Sequence, residues 1–403
     1  MFHISKRMSV IEESPTLATA AKVKEMKEKG KDIISLTVGE PDLNPPQEVK
    51  DAAIAAILDN RANHYTPTAG ILPLRQAIVD YHHRYDGLDY QASQVIVTEG
   101  AKNALYTLFQ VILDEGDEVL IPSPYWVSYT EQVKLAEGVP IIVTAKADNG
   151  FKVSVQELEE KRSARTKAII LNSPNNPTGT VYSKEELKEL GNWAVKHDMI
   201  IVADEIYYRL CYNGNEAVSI ASLSDEIKKQ TFLINGVSKS YAMTGWRIGY
   251  AIGDQAIINK MVELSSHSTS NPAGPSQYGA LAAISSSQDF VEEMRTIFEG
   301  RLNYVYPLIE KLPGFKVTKP QGAFYVFADC SEAAKMTGYQ SVSDFALGLI
   351  EEAGVAVVAG EGFGAPNFIR ISYTLEESVL LEAVNRMKQF IEMKKTINEV
   401  KGK

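Results

Sequence analysis

Short apolar runs rich in β-branched residues alternate with amphipathic segments from about residue 45 onward. The runs are typical of buried strands: VIVT (95–98), EVLIP (118–122), PIIVTA (140–145), KAIILN (167–172), MIIVAD (199–204), TFLING (231–236) and RIGYAIG (247–253). Between them lie segments with helical periodicity, such as AKNALYTLFQVIL, VSVQELEEKR and SKEELKELGNWAVKHD. The alternation predicts an α/β fold with a mainly parallel seven-stranded sheet and helices on both faces.

This rhythm changes near residue 285. A long charged helical stretch (about 288–311) leads to GFKVTKP, GAFYVFADC, VAVVAG and NFIRISYT, interleaved with helices, and a last helix begins at about 376. The pattern predicts a smaller α/β domain of antiparallel character. A helix at about 16–29 and the strand DIISLTVG come before the first helix of the large sheet, so we expect them to join the smaller domain. The predicted division is an amino-terminal segment (1–44), a large domain (45–300) and a small domain (301–403), with the small domain built from both chain ends.

Charge and cysteine content exclude several classes of function. The net charge of -10 argues against nucleic-acid binding, which requires a basic face. The only cysteines, Cys211 and Cys330, predict neither a disulfide framework nor a metal site, as in a reducing cytoplasm. The amino terminus lacks the apolar run of a secretory signal, and runs such as AIILN are too short to span a bilayer. We therefore expect a soluble cytoplasmic protein without a membrane partner.

Ligands of open α/β sheets bind beyond the carboxyl ends of the strands, so the residues there are candidates for function. After VIVT, residues 99–102 open a helix, where small side chains let backbone amides approach a phosphate. The glycine at this position also suits an ordinary strand–helix turn. After EVLIP, Trp126 either stacks on a planar ligand or packs in the core.

Three further strand ends carry polar side chains. SPNNPTG (173–179) holds Asn175 and Asn176, in a turn or as amide ligands of an oxygen. Asp204 ends an apolar strand, where a carboxylate faces a cation or caps a helix, because unpaired burial is costly. In SKSYAMTGWRIG, Lys239 is either a solvated lysine or a nucleophile whose pKa is lowered by burial and by a cation such as Arg247. The residues at any one strand end fit either a structural or a functional role. Their convergence on one edge of the sheet favours a ligand site.

Five motifs carry a resemblance to a known family: SKSYAMTGWRIG, SPNNPTG, ADEIY, GEPD (39–42) and FIRIS (368–372). Together they resemble the pyridoxal-phosphate-dependent class I aminotransferases of fold type I, in the branch that contains bacterial aspartate aminotransferases. The similarity runs from about residue 10 to the carboxyl terminus. It implies ping-pong transamination of L-aspartate with 2-oxoglutarate, giving oxaloacetate and L-glutamate, in a homodimer with shared active sites.

The resemblance also implies a role for each residue that matches a motif. Lys239 would bind the cofactor covalently and carry the proton between substrate Cα and cofactor C4′. Asp204 would pair with the pyridine nitrogen, which makes the ring an electron sink. The remaining cofactor contacts would be Tyr207 and Asn176 to the ring 3-oxygen, Trp126 on the ring face, Ser238, Arg247 and the backbone at Gly100, Ala101 and Lys102 around the phosphate, and Tyr65 reaching the phosphate from the neighbouring subunit.

Substrate recognition follows from the same resemblance. Arg370, expected at the end of its strand, would bind the substrate α-carboxylate in a bidentate pair, although a structural arginine is the alternative. The Gly39 backbone, with Trp126 and Asn176, would approach the same substrate. Lys102 would bind the distal carboxylate of aspartate or glutamate. Two further residues, Pro15 and Thr16, lie in the segment that folds over the pocket in this family. The sequence shows no counterpart to a second substrate-binding arginine, which leaves the dicarboxylate preference resting on Lys102.

Other functions remain as alternatives. An aminotransferase for aromatic or broadly varied amino acids, or a carbon–sulfur β-lyase, would use nearly the same residues. A cofactor-binding regulator of this fold would carry an amino-terminal DNA-binding domain, but only about 30 residues precede the first motif. A nicotinamide-dependent dehydrogenase would need a glycine-rich fingerprint after the first strand, which this sequence lacks.

Overall fold

The computed structural model describes residues 2–401. Its strands are β1 (Ile34–Ser35), β2 (Val95–Thr98), β3 (Glu118–Ser123), β4 (Val139–Thr144), β5 (Thr166–Asn172), β6 (Ile200–Asp204), β7 (Thr231–Gly236), β8 (Gly249–Ile252), β9 (Lys316–Val317), β10 (Tyr325–Asp329), β11 (Val355–Ala356), β12 (Val358–Ala359) and β13 (Phe368–Ser372). Its α-helices are α1 (Pro15–Glu28), α2 (Gln47–Leu58), α3 (Leu72–Asp86), α4 (Ala101–Ile112), α5 (Ser128–Leu135), α6 (Val155–Lys161), α7 (Lys184–Lys196), α8 (Asp225–Gln230), α9 (Gln255–Ser266), α10 (Gly274–Ser285), α11 (Asp289–Glu310), α12 (Ser331–Thr337), α13 (Val342–Ala353) and α14 (Glu377–Lys401).

The predicted seven-stranded sheet is present, in the order β2-β8-β7-β6-β5-β3-β4. Strands β7, β6, β5, β3 and β4 pair in parallel, whereas β8 is antiparallel to both of its neighbours. The amino end of β8 therefore lies at the edge where the other strands have their carboxyl ends. This reversal brings Arg247, which precedes β8, to the same edge as Lys239, which follows β7.

Helices cover both faces of this sheet, as the continuous apolar strands predict. Val95 and Val97 pack into one buried cluster, and Ile96 between them packs into another on the opposite face. Because side chains alternate between the two faces along a strand and helices cover both faces, the interior residues of these strands are apolar. The helix predicted from SKEELKELGNWAVKHD is present as α7, and it begins with a capping box: Ser183 Oγ accepts from the Glu186 N–H at 3.2 Å, and Glu186 Oε2 accepts from the Ser183 N–H at 2.7 Å.

A second, antiparallel sheet has the order β12-β13-β10-β9, and β1 pairs in parallel with β11. The pairing of β1 joins the amino-terminal segment to the carboxyl-terminal part. The predicted strand DIISLTVG is reduced to Ile34–Ser35. Beyond this strand, the carbonyls of Thr37 and Gly39 accept hydrogen bonds from Arg370 and Lys239.

The division at 1–44, 45–300 and 301–403 stays a prediction. Leu36 packs in one buried cluster with residues of α11, β10, β13 and α14, which supports the placement of the amino-terminal segment. The boundary at residue 300 falls inside α11, whose Met294 and Phe298 already belong to that same cluster. No helix within residues 2–401 is both long and apolar enough to cross a membrane.

Candidate active site

A cavity of about 390 Å³ opens at the edge of the large sheet where the parallel strands end. Most of the predicted site residues line it: Gly39, Ala101, Lys102, Trp126, Asn176, Asp204, Tyr207, Ser238, Lys239, Arg247 and Arg370. Gly100 lies against the Arg247 guanidinium just behind the wall. Tyr65 is outside the cavity and 92% exposed. From the amino-terminal segment, Thr16 lines the cavity together with Ser14 and Leu17.

Lys239 follows β7, and its Nζ donates a hydrogen bond to the Gly39 carbonyl. Nζ lies 5.9 Å from the ring centroid of Tyr207 and 5.8 Å from that of Phe324. Removal from water lowers the pKa of Lys239 to about 8; Glu40 opposes this shift, and the Arg370 guanidinium adds to it. An amine with such a pKa is partly unprotonated near neutral pH and can act as a nucleophile or a base.

Asp204 is the last residue of β6 and is 4% exposed. Its Oδ2 accepts from the Tyr129 hydroxyl at 2.6 Å, and its Oδ1 accepts from the Ile206 N–H at 3.2 Å. Burial raises the pKa of Asp204 to about 6, while these hydrogen bonds and the charge of Lys239 hold it down. The carboxyl group is therefore mainly ionised at neutral pH and suited to pair with a buried cation.

An anion-binding corner forms where α4 begins. Gly100 has φ 85°, and a Cβ there would lie 2.5 Å from Nη2 of Arg247, so this turn requires glycine. The Arg247 guanidinium donates to the carbonyls of Thr244 at 2.9 Å and Glu99 at 3.2 Å. Burial, followed by the Arg247 charge, lowers the pKa of Lys102. Two cations beside the free amides of a helix amino terminus form a site for a group with two negative charges.

A second candidate anion site in the cavity wall is built around Arg370. Arg370 is the central residue of β13, not its end as expected, and it is 2% exposed. Its Nη1 donates to Asn176 Oδ1 at 3.0 Å, and its Nη2 donates to the Thr37 carbonyl at 2.8 Å. Its Cζ lies 4.4 Å from the ring centroid of Tyr325. Within the described residues Nε is buried without a hydrogen-bond partner, which leaves a charged donor for an anionic ligand.

Aromatic side chains also line the cavity. The hydroxyls of Tyr207 and Tyr325 are 2.8 Å apart, and burial raises the pKa of Tyr207 well above its ordinary range, so its proton is retained. The Trp126 ring lies 5.0 Å from Lys102 Nζ and meets the Tyr129 ring edge-on at 5.4 Å. The cavity thus combines an apolar slot for a flat ring with charged groups at its ends.

Several functional contacts escaped the sequence analysis. Tyr129 lies three residues after Trp126, one helical turn away, and that spacing could have indicated it. The contacts of the Thr37 and Gly39 carbonyls could not be predicted from the sequence, because every residue has a backbone carbonyl. Tyr325 reaches the site through the pairing of β10 with β13, in which Phe327 stands opposite Arg370. That register joins segments distant in sequence and could not be read from either one.

Known proteins match the chain over most of its length. The family model "Aminotransferase class I and II" matches residues 31–387. An aspartate aminotransferase of Bacillus sp. strain YM-2 is 52% identical over 96% of this chain and 99% of its own. An asparagine–oxo-acid transaminase of Streptococcus mutans is 47% identical over 97% of this chain and 100% of its own. The solved aspartate aminotransferase of Thermus thermophilus with maleate superposes with a TM-score of 0.92 at 40% identity, over 97% of this chain and 100% of its own.

Fold, cavity and relatives together define an enzyme of amino-group transfer. The chain belongs to the aminotransferase class I and II family and is an aminotransferase that depends on pyridoxal phosphate. The residues present fit this cofactor. A doubly charged phosphate suits the corner at α4, a flat pyridine ring suits the aromatic slot, and the buried Asp204 carboxylate suits a protonated ring nitrogen.

Proposed function

We propose that this enzyme transfers the amino group of L-aspartate to 2-oxoglutarate by a ping-pong mechanism, giving oxaloacetate and L-glutamate. The observation that carries the proposal is the pair of cationic groups in one cavity. Arg370, with its unpartnered Nε, suits the α-carboxylate, and Lys102, which lines the cavity with its Nζ 5.0 Å from the Trp126 ring, suits a second carboxylate. Maleate, present with the Thermus relative, is likewise a dicarboxylate.

Each residue of the site then has a chemical task. When bound, pyridoxal phosphate supplies an electron sink for the charge that develops at the substrate Cα. Lys239 would hold the cofactor covalently, and its Nζ, as a free amine, would take the proton from the substrate Cα. Asp204 keeps the ring nitrogen protonated, and Tyr207 and Asn176 donate hydrogen bonds to the ring 3-oxygen. The lowered pKa of Lys239 supports its role, because the free amine is the reactive form.

Binding and orientation fall to the remaining residues. Ser238, Arg247 and the backbone at Gly100, Ala101 and Lys102 hold the phosphate, and Trp126 stacks on the ring. Arg370 orients the α-carboxylate, with Gly39 beside it. The segment from Ser14 to Leu17 covers the cavity and excludes water, as its position in the cavity wall supports.

We further propose that the enzyme works as a homodimer in which Tyr65 of one subunit reaches the phosphate site of the other. Tyr65 is 92% exposed in the single chain, and Ile54, Ile57 and Leu58 of α2, a few residues earlier in the sequence, are exposed as well. Several large apolar side chains left exposed along one stretch of chain support its burial against a second subunit.

One set of assays tests the proposed reaction. Purified protein with pyridoxal phosphate and 2-oxoglutarate is offered aspartate, asparagine and phenylalanine, and its visible absorbance is recorded. We expect a lysine-bound cofactor band that Lys239→Ala abolishes, and fastest turnover with aspartate. We expect Lys102→Gln to lower kcat/KM for aspartate by about tenfold or more, the loss of a charged hydrogen bond, and to leave phenylalanine nearly unchanged.

The controls separate the alternatives. Lys146→Gln removes an exposed lysine and should change neither substrate. An equal loss on both substrates in Lys102→Gln would show that Lys102 does not select the dicarboxylate and would favour the aromatic or broad-specificity alternative. Pyruvate released from cystathionine without any oxo acid would identify a β-lyase. A cofactor band that survives Lys239→Ala would contradict the assignment of the catalytic lysine.

A further inference from the structure

Tyr129 lines the cavity, and its hydroxyl contacts the Asp204 carboxylate. Tyr129 belongs to the first turn of α5 and is 2% exposed. Its ring meets Trp126 edge-on, with the ring planes at 83°. Its hydroxyl is 2.6 Å from Asp204 Oδ2, a short hydrogen bond to a carboxylate. One side chain thus contacts both the aromatic face of the slot and the carboxylate at its end.

The contact also completes the coordination of Asp204. Its other oxygen, Oδ1, accepts from the Ile206 N–H at 3.2 Å. With one donor on each oxygen, the carboxylate cannot rotate about its last bond without losing a hydrogen bond in a buried place. The plane of the carboxylate is therefore held by one backbone group and one side chain, and only the side chain can be altered by substitution.

We propose that Tyr129 is a positioning residue whose hydroxyl holds the Asp204 carboxylate ionised and aimed at the ring nitrogen of the cofactor. The inference rests on the proposed function, which assigns that nitrogen to Asp204. In this assignment the Tyr129 hydroxyl acts through Asp204, to which it donates its hydrogen bond.

The physical basis is a competition over one buried charge. Burial disfavours the ionised carboxylate, and the Tyr129 hydrogen bond favours it. Burial also raises the pKa of Tyr129 well above its ordinary range, so the hydroxyl remains a donor at all assay pH values. The other titratable groups that act on Asp204, or on which it acts, are Lys239, Tyr207 and Glu205. Burial raises the pKa of Glu205 well above its ordinary value.

Loss of the hydroxyl makes Asp204 a stronger base. The proton between its carboxylate and the ring nitrogen then shifts toward the carboxylate, and the ring becomes a poorer electron sink. In the cofactor-free protein the same change raises the pH at which Asp204 takes up a proton. Below that pH, binding of the protonated ring requires release of the Asp204 proton, so cofactor affinity falls.

The test is the pH dependence of pyridoxal phosphate affinity in the full-length protein after removal of the cofactor. Tyr129→Phe keeps the ring that packs on Trp126 and removes only the hydroxyl. We expect the acid-side fall in affinity to begin about one pH unit higher than in the wild type, as for loss of one charge-assisted hydrogen bond. The two proteins should bind alike at pH 8. We also expect kcat to fall more than KM rises.

Tyr182→Phe is the matched control. Tyr182 is 4% exposed, and its hydroxyl accepts from the Val153 N–H at 3.0 Å, away from the cavity. Tyr182→Phe should be less stable than the wild type, but the pH at which its cofactor affinity begins to fall should be unchanged. If Tyr129→Phe does not fold, 3-fluorotyrosine at position 129 supplies a stronger donor in the same shape. The fall in cofactor affinity on the acid side should then begin at a lower pH than in the wild type.

Two results separate the inference from the proposed function. If cofactor affinity falls at the same acid pH in the wild type, in Tyr129→Phe and in the fluorinated protein, the role proposed for Tyr129 is wrong. If Asp204→Asn also binds the cofactor with the wild-type pH dependence, the assignment of Asp204 fails as well. If Asp204→Asn alters that dependence and Tyr129→Phe does not, only the inference about Tyr129 is lost.

Discussion

At the scale of one residue, the carboxyl group of Asp204 couples pH to the stability of the cofactor-free protein. Burial raises its pKa from 3.8 to about 6, so the folded protein binds this proton more tightly than the unfolded chain. The stabilisation is complete below the unfolded value and is lost as the pH rises through about 6. Asp204→Asn removes this titration. We expect it to raise the free energy of unfolding of the cofactor-free protein by about 3 kcal/mol at pH 8 and by less at pH 5.

Denaturant unfolding of both proteins at the two pH values measures this difference. Asp148→Asn, the same substitution at an exposed side chain, is the matched control. An equal gain from Asp204→Asn at pH 5 and pH 8 would show that Asp204 titrates normally. A protein that is less stable with a buried carboxylate in its binding site than with an amide there is typical of enzymes in which a ligand later pairs with that charge.

At the scale of secondary-structure elements, α5 forms hydrogen bonds with the amino-terminal segment next to the cavity. Glu131 Oε2 accepts from the Glu12 N–H at 2.9 Å, Lys134 Nζ donates to the Val10 carbonyl at 3.0 Å, and the two side chains form an ion pair at 2.7 Å. The segment continues into Ser14, which lines the cavity. The double variant Glu131→Ala, Lys134→Ala should raise KM for the amino acid severalfold, about the worth of one hydrogen bond.

Steady-state kinetics and the visible spectrum test that prediction together. The cofactor band should be unchanged, because neither side chain lines the cavity. Lys388→Ala with Glu392→Ala removes a comparable surface pair from α14 and serves as the control. An unchanged KM in the α5 variant would show that the segment covers the site without these contacts.

The elements were predictable from the sequence because each strand of the large sheet is an apolar run between helices. The strand ends also indicated most of the cavity wall, since parallel strands bring their carboxyl ends to one edge. What the local pattern could not provide was pairing between distant segments. The reversal of β8, the shortening of β1 and the register of β10 with β13 each depend on such pairing. The roles of individual residues came from the resemblance, because a lysine between two serines has no chemistry of its own until its partners are known.

At the scale of the whole molecule, an active site shared between two subunits predicts that two inactive variants can restore each other's activity, which is impossible for a monomer. In the proposed dimer each site uses Lys239 of one subunit and Tyr65 of the other. Tyr65→Ala and Lys239→Ala should each lose most activity as pure proteins. A mixed dimer of the two variants holds one site with both defects and one site with neither.

Subunit exchange between the two variants therefore tests both the dimer and the position of Tyr65. After mixing, mild denaturation and refolding, random pairing should restore about a quarter of the wild-type activity, because half the dimers are mixed and half of their sites are intact. Light scattering on the same samples gives the mass of the assembly. Tyr304→Ala, which removes another exposed tyrosine, should remain active alone and need no exchange. Activity that never exceeds the sum of the separate variants, in a sample that is dimeric, would place Tyr65 in the site of its own subunit or outside the site altogether.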